Sequence, residues 1–191
     1  PVAIKRLLSS LWGDKAEERL LLAEGELGLR VQSPGLVRVL ATGYRASEGA
    51  PEIIMEWIPG ETLEAVLLNG AYPEPLLRTL AQMVGRGLSS LHKAGYAHAD
   101  VKPENIKLDG EGSARLIDLG YATRFDPSAK DPAELEHEPG SLKWMSPERL
   151  IGGPPSFAAD VYALGLVLYA AATECHPSQR DGNLPEPSTI Q

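Results

Sequence analysis

The stretch from His98 to Asn105 gathers polar side chains at close spacing in a part of the chain that lacks helical periodicity. Asp100 could orient an attacking hydroxyl group, because a carboxylate can accept the hydroxyl proton. Lys102 lies two residues further on and could stabilise charge on a transferred group. Asn105 offers an amide oxygen, and a second carboxylate, Asp118, follows thirteen residues later. Such oxygen ligands suit Mg2+, so these residues together indicate phosphoryl transfer.

The first third of the chain is predicted to form a small sheet with one helix. Short apolar runs predict strands at residues 2–4, 36–40 and 53–55. Between the first two strands, a helix is predicted from Lys15 to Val31, with Asp14 as its N-terminal cap. The apolar residues that recur on this helix at spacings of three and four are Leu20, Ala23, Leu27 and Val31.

The remainder of the chain is predicted to be mainly helical. Thr62 is expected to cap a short helix over residues 63–68, and an apolar helical face begins at Pro75. A hairpin is predicted over residues 106–117, and the final helix over residues 157–173. Because strands gather early and helices late, we expect an α+β fold with a small sheet-rich lobe beside a helical lobe.

Five motifs follow one another along the chain: Val2-Ala3-Ile4-Lys5, His98-Ala99-Asp100, Lys102-Pro103-Glu104-Asn105, Asp118-Leu119-Gly120 and Ser146-Pro147-Glu148. In this order and spacing, the chain resembles the eukaryotic-type serine/threonine protein kinases. The resemblance covers essentially the whole chain and implies a two-lobed protein kinase-like fold. Some phrases, such as Asn105-Ile106-Lys107, are more similar to bacterial members than to animal ones.

The resemblance implies a binding site for ATP. Lys5 is similar to the strand lysine that holds the α- and β-phosphates. Its partner in the family is a helix glutamate, and both Glu24 and Glu26 are candidates. The residues that resemble the adenine contacts are Met55, which would guard the pocket, and Glu56 and Ile58 through their backbones.

The resemblance also implies roles in the transfer step. Asp100 is similar to the catalytic base, with Lys102 beside it. Asn105 and Asp118 are similar to the ligands of Mg2+, and Asp160 to a buried aspartate that braces the catalytic loop. The implied reaction is transfer of the γ-phosphate of ATP to serine or threonine hydroxyls of a protein substrate.

Three residues depart from the family pattern. Ala99 stands where the family has an arginine that binds a phosphorylated activation loop, so we expect such a phosphate to lack its usual receiver. Leu119 replaces a phenylalanine. Gly28 stands where a bulky side chain packs against the segment of Asp118, so we expect the helix to pair loosely with the sheet.

Two other functions are compatible with parts of the pattern. The three departures would suit a pseudokinase that acts as a binding or scaffold module, although every charged catalytic position is filled. A small-molecule kinase of the aminoglycoside or choline type shares the spacing from His98 to Asn105. Lys102 and the segment Ser146–Glu148 favour a protein substrate, since a peptide-binding activation segment is a feature of protein kinases.

Composition excludes several other classes of protein. The chain has 191 residues, 43% of them hydrophobic, which is enough for a sizeable core. The formal net charge of −8 argues against nonspecific binding of nucleic acid. The longest apolar stretch, Val161 to Thr173, is too short for a membrane segment, which needs roughly 20 residues. A single cysteine favours a cytoplasmic protein, although an anchor could lie outside this chain.

We expect a partial kinase domain, divided into a small-lobe part at residues 1–57, a helical-lobe part at 58–180 and a Pro-rich tail at 181–191. The strands of the glycine-rich loop are expected to precede Pro1, and the last helices of the helical lobe to follow the tail. We therefore expect this fragment to be inactive by itself. Loss of cover is expected to expose four residues of the final helix: Leu164, Leu166, Val167 and Leu168.

Overall fold

The fold was analysed in a computed structural model, which describes residues 1–45, 49–70, 72–110, 112–126 and 142–173. The Pro-rich tail predicted at 181–191 lies outside these residues, and the division of the chain at residue 57 stays a prediction. The elements are, in chain order, β1 (Val2–Arg6), α1 (Lys15–Arg30), β2 (Val39–Tyr44), β3 (Pro51–Glu56), α2 (Leu63–Leu68), α3 (Glu74–Lys93), β4 (Tyr96–Ala97), β5 (Ile106–Leu108), β6 (Ala114–Leu116), β7 (Thr123–Arg124), α4 (Pro147–Leu150) and α5 (Phe157–Thr173).

The first three strands form an antiparallel sheet with β3 in the centre. The register places Ala3 opposite Met55 and Lys5 opposite Ile53. Because side chains alternate along a strand, Ile53 and Met55 share the buried face of β3. The sheet therefore presents a lysine and an apolar residue next to each other on its inner side.

The second strand begins later than its sequence pattern suggests. The apolar run at residues 36–40 predicts a strand, but β2 begins only at Val39. Leu36 instead forms an isolated parallel bridge with Leu116 of the hairpin formed by β5 and β6. The first part of the run therefore links the sheet to the hairpin, which periodicity cannot reveal.

Helix α1 has the predicted cap but a different buried face. The carboxylate of Asp14 accepts hydrogen bonds from the N–H groups of Ala16 and Glu17, at 2.8 and 3.4 Å. Leu27 and Val31 are buried as predicted, but Leu20 is 58% exposed and Ala23 is exposed too, so the first half of the predicted apolar face is wrong. The buried residues of the helix include Leu21, Gly25, Leu27 and Gly28. The two glycines rotate the contact face because only they allow β2 to come this close.

Two hydrophobic clusters hold the described residues together. The smaller one joins α1 to the sheet and consists of Leu21, Val37, Val39, Ile53, Met55 and Ile58. The larger one packs α3 against α5 and the β5–β6 hairpin, with fully buried residues such as Leu80, Leu91, Ile106, Leu116 and Val167. This separation agrees with the predicted α+β arrangement.

The final helix is better covered than expected. Leu166 and Val167 are only 8% and 0% exposed. Leu164 and Leu168 are partly buried and pack against the larger cluster. The predicted exposure of these four residues is therefore wrong, because α3 already covers this side of α5. Val161, at 61% exposed, lies on the opposite side.

One strand pair was absent from the sequence prediction. Strands β4 and β7 pair antiparallel, with Tyr96 opposite Arg124 and Ala97 opposite Thr123. Strands of two residues carry no measurable periodicity, so no pattern could identify them. Among the described helices, none combines the length and the apolar character that a membrane crossing would require.

Candidate active site

Lys5 lies between two carboxylates that come from distant parts of the chain. Its Nζ atom is 2.8 Å from both carboxylate oxygens of Glu24 in α1. The same atom is 2.8 Å from Oδ1 of Asp118, which follows β6. Glu26, the other candidate partner, is exposed. The helix, the sheet and the hairpin therefore meet at one lysine.

The environment shifts the pKa values of all three groups. Burial acts to lower the pKa of Lys5, but the charges of Glu24 and Asp118 outweigh it and raise that pKa above its usual value. Burial raises the pKa of Glu24 despite the favourable contact with Lys5. Burial would also raise the pKa of Asp118, but Lys5 and the N–H group of Gly120 favour the carboxylate and lower the pKa overall. Lys5 and Asp118 are thus held in their charged forms.

Gly120 is required by the close approach of the three charged groups. A Cβ atom at this position would lie 3.1 Å from Oδ1 of Asp118 and 3.3 Å from Oε2 of Glu24. The glycine also donates its N–H to Oδ1 of Asp118, at 2.8 Å. Two donors therefore occupy Oδ1, and no described residue donates a hydrogen bond to Oδ2. The second oxygen is free to bind a cation.

Asp100 is the centre of a second group of polar side chains. Its Oδ2 atom accepts a hydrogen bond from Nδ2 of Asn105 at 2.8 Å and lies 2.9 Å from Nζ of Lys102. Nδ2 of Asn105 also donates to the backbone oxygen of Asp100, at 2.9 Å. Both donor contacts of the amide group thus point at Asp100, which leaves Oδ1 of Asn105 as an oxygen ligand.

The loop that carries Asp100 is braced by Asp160 of α5. Oδ2 of Asp160 accepts the N–H of His98 at 2.8 Å, and Oδ1 accepts the N–H of Ala99 at 2.9 Å. Nε2 of His92 in α3 lies 2.7 Å from Oδ2 of Asp160. Ala99 has a φ of 65°, a conformation that costs about 1–3 kcal/mol for a residue other than glycine. The two bonds to Asp160 hold the loop in this strained shape.

A backbone contact joins the two groups. Ile117 donates its N–H to the backbone oxygen of Asn105, at 3.0 Å. Because Asp118 is the next residue, this bond sets the spacing between the Asn105 amide and the Asp118 carboxylate. Sequence separation alone could not show that the two residues belong to one site.

An open cleft of about 370 Å3 lies beside Lys5 and Asp118, and we call it the front cleft. Three of the residues predicted to contact adenine line it, namely Met55, Glu56 and Ile58. The other lining residues come from β1, from the segment before β2, from the segment between β3 and α2, and from the β5–β6 hairpin and the residue after it. They are Ala3, Ile4, Val37, Trp57, Thr62, Lys107 and Ile117. A cleft with apolar walls and charged groups at one end suits a nucleotide.

Two side-chain oxygens are of the kind that Mg2+ prefers, Oδ2 of Asp118 at the front cleft and Oδ1 of Asn105, which does not line that cleft. Within the described part of the chain, no three His, Cys, Asp or Glu side chains come together as a metal cage. Mg2+ is usually bound by one or two protein groups together with substrate phosphates and water. Oδ2 of Asp118 and Oδ1 of Asn105 supply such a pair.

Several residues of the site were not found from the sequence. Trp57 and Lys107 both line the front cleft, and Nζ of Lys107 lies 6.0 Å from the centre of the Trp57 ring. His92 contacts Asp160 from the end of α3. Lys107 stands two residues after Asn105, and this short spacing could have placed it near the site. His92 has the pattern of an ordinary polar residue on an amphipathic helix, so the sequence gives no sign of its contact.

The structure describes the surroundings of two of the departures, Gly28 and Leu119. A Cβ atom at Gly28 would overlap the side chain of Val39, so α1 packs tightly against β2 and the expected loose pairing is wrong. Leu119 is only 4% exposed and belongs to the larger cluster. Its N–H donates to Oε1 of Glu24, at 3.4 Å. The smaller side chain at residue 119 is therefore compatible with a closed site.

Comparison with known proteins identifies the family of the chain. Residues 1–189 match the family model described as the protein kinase domain. A protein named as a probable serine/threonine-protein kinase of Corynebacterium efficiens is 32% identical over 175 residues, which cover 90% of this chain and 26% of that protein. A similarly named protein of Clostridium perfringens is 31% identical over 181 residues, 94% of this chain and 26% of that protein.

A third relative, the serine/threonine-protein kinase PknE of Mycobacterium tuberculosis, is 30% identical over 201 residues, 100% of this chain and 35% of that protein. The chain thus spans about a quarter to a third of the length of these relatives. All three come from bacteria, in agreement with the predicted likeness to bacterial members. Since the family model matches nearly every residue and the site has the expected groups in contact, the chain belongs to the protein kinase domain family.

Proposed function

We propose that the whole protein to which this chain belongs transfers the γ-phosphate of ATP to serine or threonine hydroxyls of protein substrates. The observation that carries the proposal is the ion pair of Lys5 with Glu24 and Asp118, at 2.8 Å, at the end of a cleft of nucleotide size. Asp100, with its contacts to Lys102 and Asn105, adds a carboxylate for the acceptor. The names of the relatives point to the same reaction.

The residues of the front cleft bind and orient the nucleotide in this proposal. Adenine would lie against Met55, with the backbones of Glu56 and Ile58 as hydrogen-bonding partners. Nζ of Lys5 would hold the α- and β-phosphates, since Glu24 keeps the side chain extended towards the cleft. Mg2+, when bound, would neutralise charge on the phosphates. Oδ2 of Asp118 and Oδ1 of Asn105 are the atoms that would hold it.

Asp100 acts on the acceptor hydroxyl. Because Asn105 and Lys102 occupy its Oδ2 atom, Oδ1 is the atom that accepts the hydroxyl proton. The hydroxyl oxygen forms a bond to the γ-phosphorus, and the bond from that phosphorus to the β,γ-bridging oxygen breaks, so that ADP leaves. The ammonium group of Lys102 lies beside Asp100 and stabilises the charge on the transferred group.

The acceptor class follows from two features. Lys102 stands beside the base, and the segment Ser146–Glu148 begins α4, which resembles the end of a peptide-binding activation segment. These features favour a protein substrate over an aminoglycoside or choline. We place the reaction in the cytoplasm, where ATP is supplied.

Replacement of the base tests the proposal. In the whole protein, Asp100→Ala is expected to reduce phosphate transfer to a generic basic protein by a factor of about 10² to 10⁴, because general base catalysis is lost. Nucleotide affinity should change little, since Asp100 itself does not line the front cleft. The measurement is transfer of labelled phosphate from ATP, with binding of a fluorescent nucleotide in parallel. Glu26→Ala, at an exposed carboxylate, is the matched control.

The two alternatives predict different results in the same assay. A pseudokinase would bind nucleotide and transfer nothing before or after the substitution. A small-molecule kinase would phosphorylate an aminoglycoside or choline and ignore the protein. Transfer by Asp100→Ala at the wild-type rate would overturn the assigned role of Asp100.

A further inference from the structure

A second cleft shares one lining residue, Glu56 at the end of β3, with the front cleft. It has the same volume, about 370 Å3, and we call it the rear cleft. Glu56 is the one residue that lines both clefts within the described part of the chain. The residues of the rear cleft are Gln32, Ser33, Pro34, Leu36, Arg38, Glu56 and Arg115.

The charged groups of the rear cleft leave a local excess of positive charge. Two arginines, Arg38 and Arg115, face a single carboxylate, that of Glu56. Oε1 of Glu56 accepts the backbone N–H of Arg38 at 2.8 Å and lies 3.8 Å from Nε of Arg115. The second distance is too long for a hydrogen bond, so the carboxylate is engaged mainly by backbone. It does not satisfy the guanidinium groups.

The donors of both arginines are consequently free to bind a ligand. Among the described residues, none accepts a hydrogen bond from the side chain of Arg38, and none lies within hydrogen-bonding distance of the Arg115 guanidinium. Leu36, 2% exposed, closes the bottom of the cleft. A guanidinium group presents a planar fork of donors that matches phosphate and carboxylate oxygens.

We propose that the rear cleft binds an oxyanion, a phosphate or carboxylate group, between Arg38 and Arg115. This site is separate from the proposed phosphoryl-transfer site, because Lys5, Asp100 and Asp118 do not line it. The chain as a whole carries a net charge of −8, so its general field repels anions. Saturable binding of an anion here must therefore arise from the two local arginines.

Phosphate titration tests the proposal directly. The side-chain Nε–Hε signals of the arginines are followed by NMR while potassium phosphate is added at constant ionic strength and without nucleotide. Saturable shifts are expected for the signals of Arg38 and Arg115, which are assigned by their loss in Arg38→Met and Arg115→Met. Each of these variants should bind phosphate at least about tenfold more weakly, because one set of charge-assisted hydrogen bonds is removed.

Arg78→Met is the matched control, since Arg78 is an exposed arginine of α3 outside both clefts. It makes the same change in net charge and should leave phosphate affinity unchanged. Arg38→Lys keeps the charge but loses the fork, and intermediate affinity is expected. This conservative variant preserves the test if a methionine variant fails to fold.

A phosphoserine peptide distinguishes two sources of the same chemistry. Tighter binding of the peptide than of inorganic phosphate identifies the oxyanion of a peptide segment, and equal binding identifies a free anion. Linear shifts without saturation, or equal affinity in Arg38→Met, Arg115→Met and Arg78→Met, would overturn the proposal. None of these results depends on phosphate transfer, so failure here leaves the proposed function untouched.

Discussion

Lys5, Glu24 and Asp118 illustrate how one cation serves two carboxylates of different character. Glu24 is nearly buried, with 8% of its side chain exposed, whereas Asp118 has 37% exposed. Burial raises the pKa of Glu24, and the pKa of Asp118 is lowered because Lys5 and a backbone N–H favour its charge. Acid therefore neutralises Glu24 first and leaves Asp118 charged.

This order predicts an unusual acid limb in the pH profile of the proposed reaction. A raised pKa means that Glu24 takes up its proton above the ordinary value of 4.5. Lys5 then loses that partner while Asp118 is still ionised. We expect kcat/KM to fall on acidification above pH 4.5 in the wild type, through a limb that Glu24→Gln removes.

The same substitution should lower kcat/KM by about tenfold, since a charge-assisted contact becomes a neutral one. The measurement is the pH profile of transfer for wild type, Glu24→Gln and Glu26→Gln. Glu26 is exposed, so its variant should keep both the rate and the acid limb of the wild type. Loss of the limb in both variants would show that it does not come from Glu24.

Asp118 gives a prediction about metal. Asp118→Asn keeps the shape of the side chain but removes the charge that a hard cation prefers. Nucleotide binding with Mg2+ should weaken by about tenfold or more, and binding in EDTA should weaken less. Calorimetric titration with and without metal measures both quantities. Asp14→Asn is the control, because asparagine caps a helix as well as aspartate does; equal losses with and without metal would contradict the role of Asp118.

At the scale of elements, α1 is positioned by glycines that its intrinsic propensity would not choose. Gly25 and Gly28 weaken the helix by about 1 kcal/mol each relative to alanine. A Cβ atom at Gly25 would overlap the side chain of Thr42, and one at Gly28 that of Val39. Close packing against β2 thus decides the residue type. It also sets the rotation of α1 that directs Glu24 towards Lys5.

The packing predicts opposite effects for the same substitution in two helices. Gly28→Ala should destabilise the protein by about 1–3 kcal/mol, because overpacking outweighs the gain in helix propensity. Gly85→Ala in α3 meets no atom within 4 Å and should stabilise it by up to about 1 kcal/mol. Urea unfolding followed by circular dichroism measures both. Stabilisation by Gly28→Ala would show that α1 and β2 have room to separate.

At the scale of the molecule, Asp160 joins three segments that are remote in sequence. From α5 it binds the backbone of His98 and Ala99 and the ring of His92 in α3. The ring of His92 also stacks on Phe157 of α5, with centroids 4.5 Å apart. The position of the loop that holds Asp100 therefore depends on how α3 and α5 pack against each other.

Removal of this carboxylate should affect stability and turnover together. Asp160→Ala leaves the buried N–H of His98 without its acceptor, at a cost of about 1–3 kcal/mol, and the part-buried N–H of Ala99 also loses its acceptor. The strained conformation of Ala99 then loses its support, so the rate of transfer should fall while nucleotide affinity changes little. Urea unfolding, transfer assays and nucleotide titration measure the three effects. Val161→Ala, at the exposed neighbour, should change none of them; wild-type turnover of Asp160→Ala would contradict the bracing role.

Much of the fold and of the candidate site could be predicted from local sequence. The spacing of Asp100, Lys102 and Asn105 identified their loop because short-range geometry alone brings them together. The caps Asp14 and Thr62 marked helix starts because their side chains bind N–H groups two or three residues away. These interactions depend on a few neighbouring residues, so residue types and their spacing are enough to predict them.

Long-range contacts were decided only by the tertiary structure. The choice of Glu24 over Glu26, the buried face of α1 and the bracing of Ala99 by Asp160 each depend on a partner far along the chain. So does the rear cleft, where Arg38 and Arg115 come together although they are far apart in sequence. A sequence pattern shows which side chains are apolar or charged. How a helix is rotated and how closely it approaches a strand are decided by the packing of whole elements against each other.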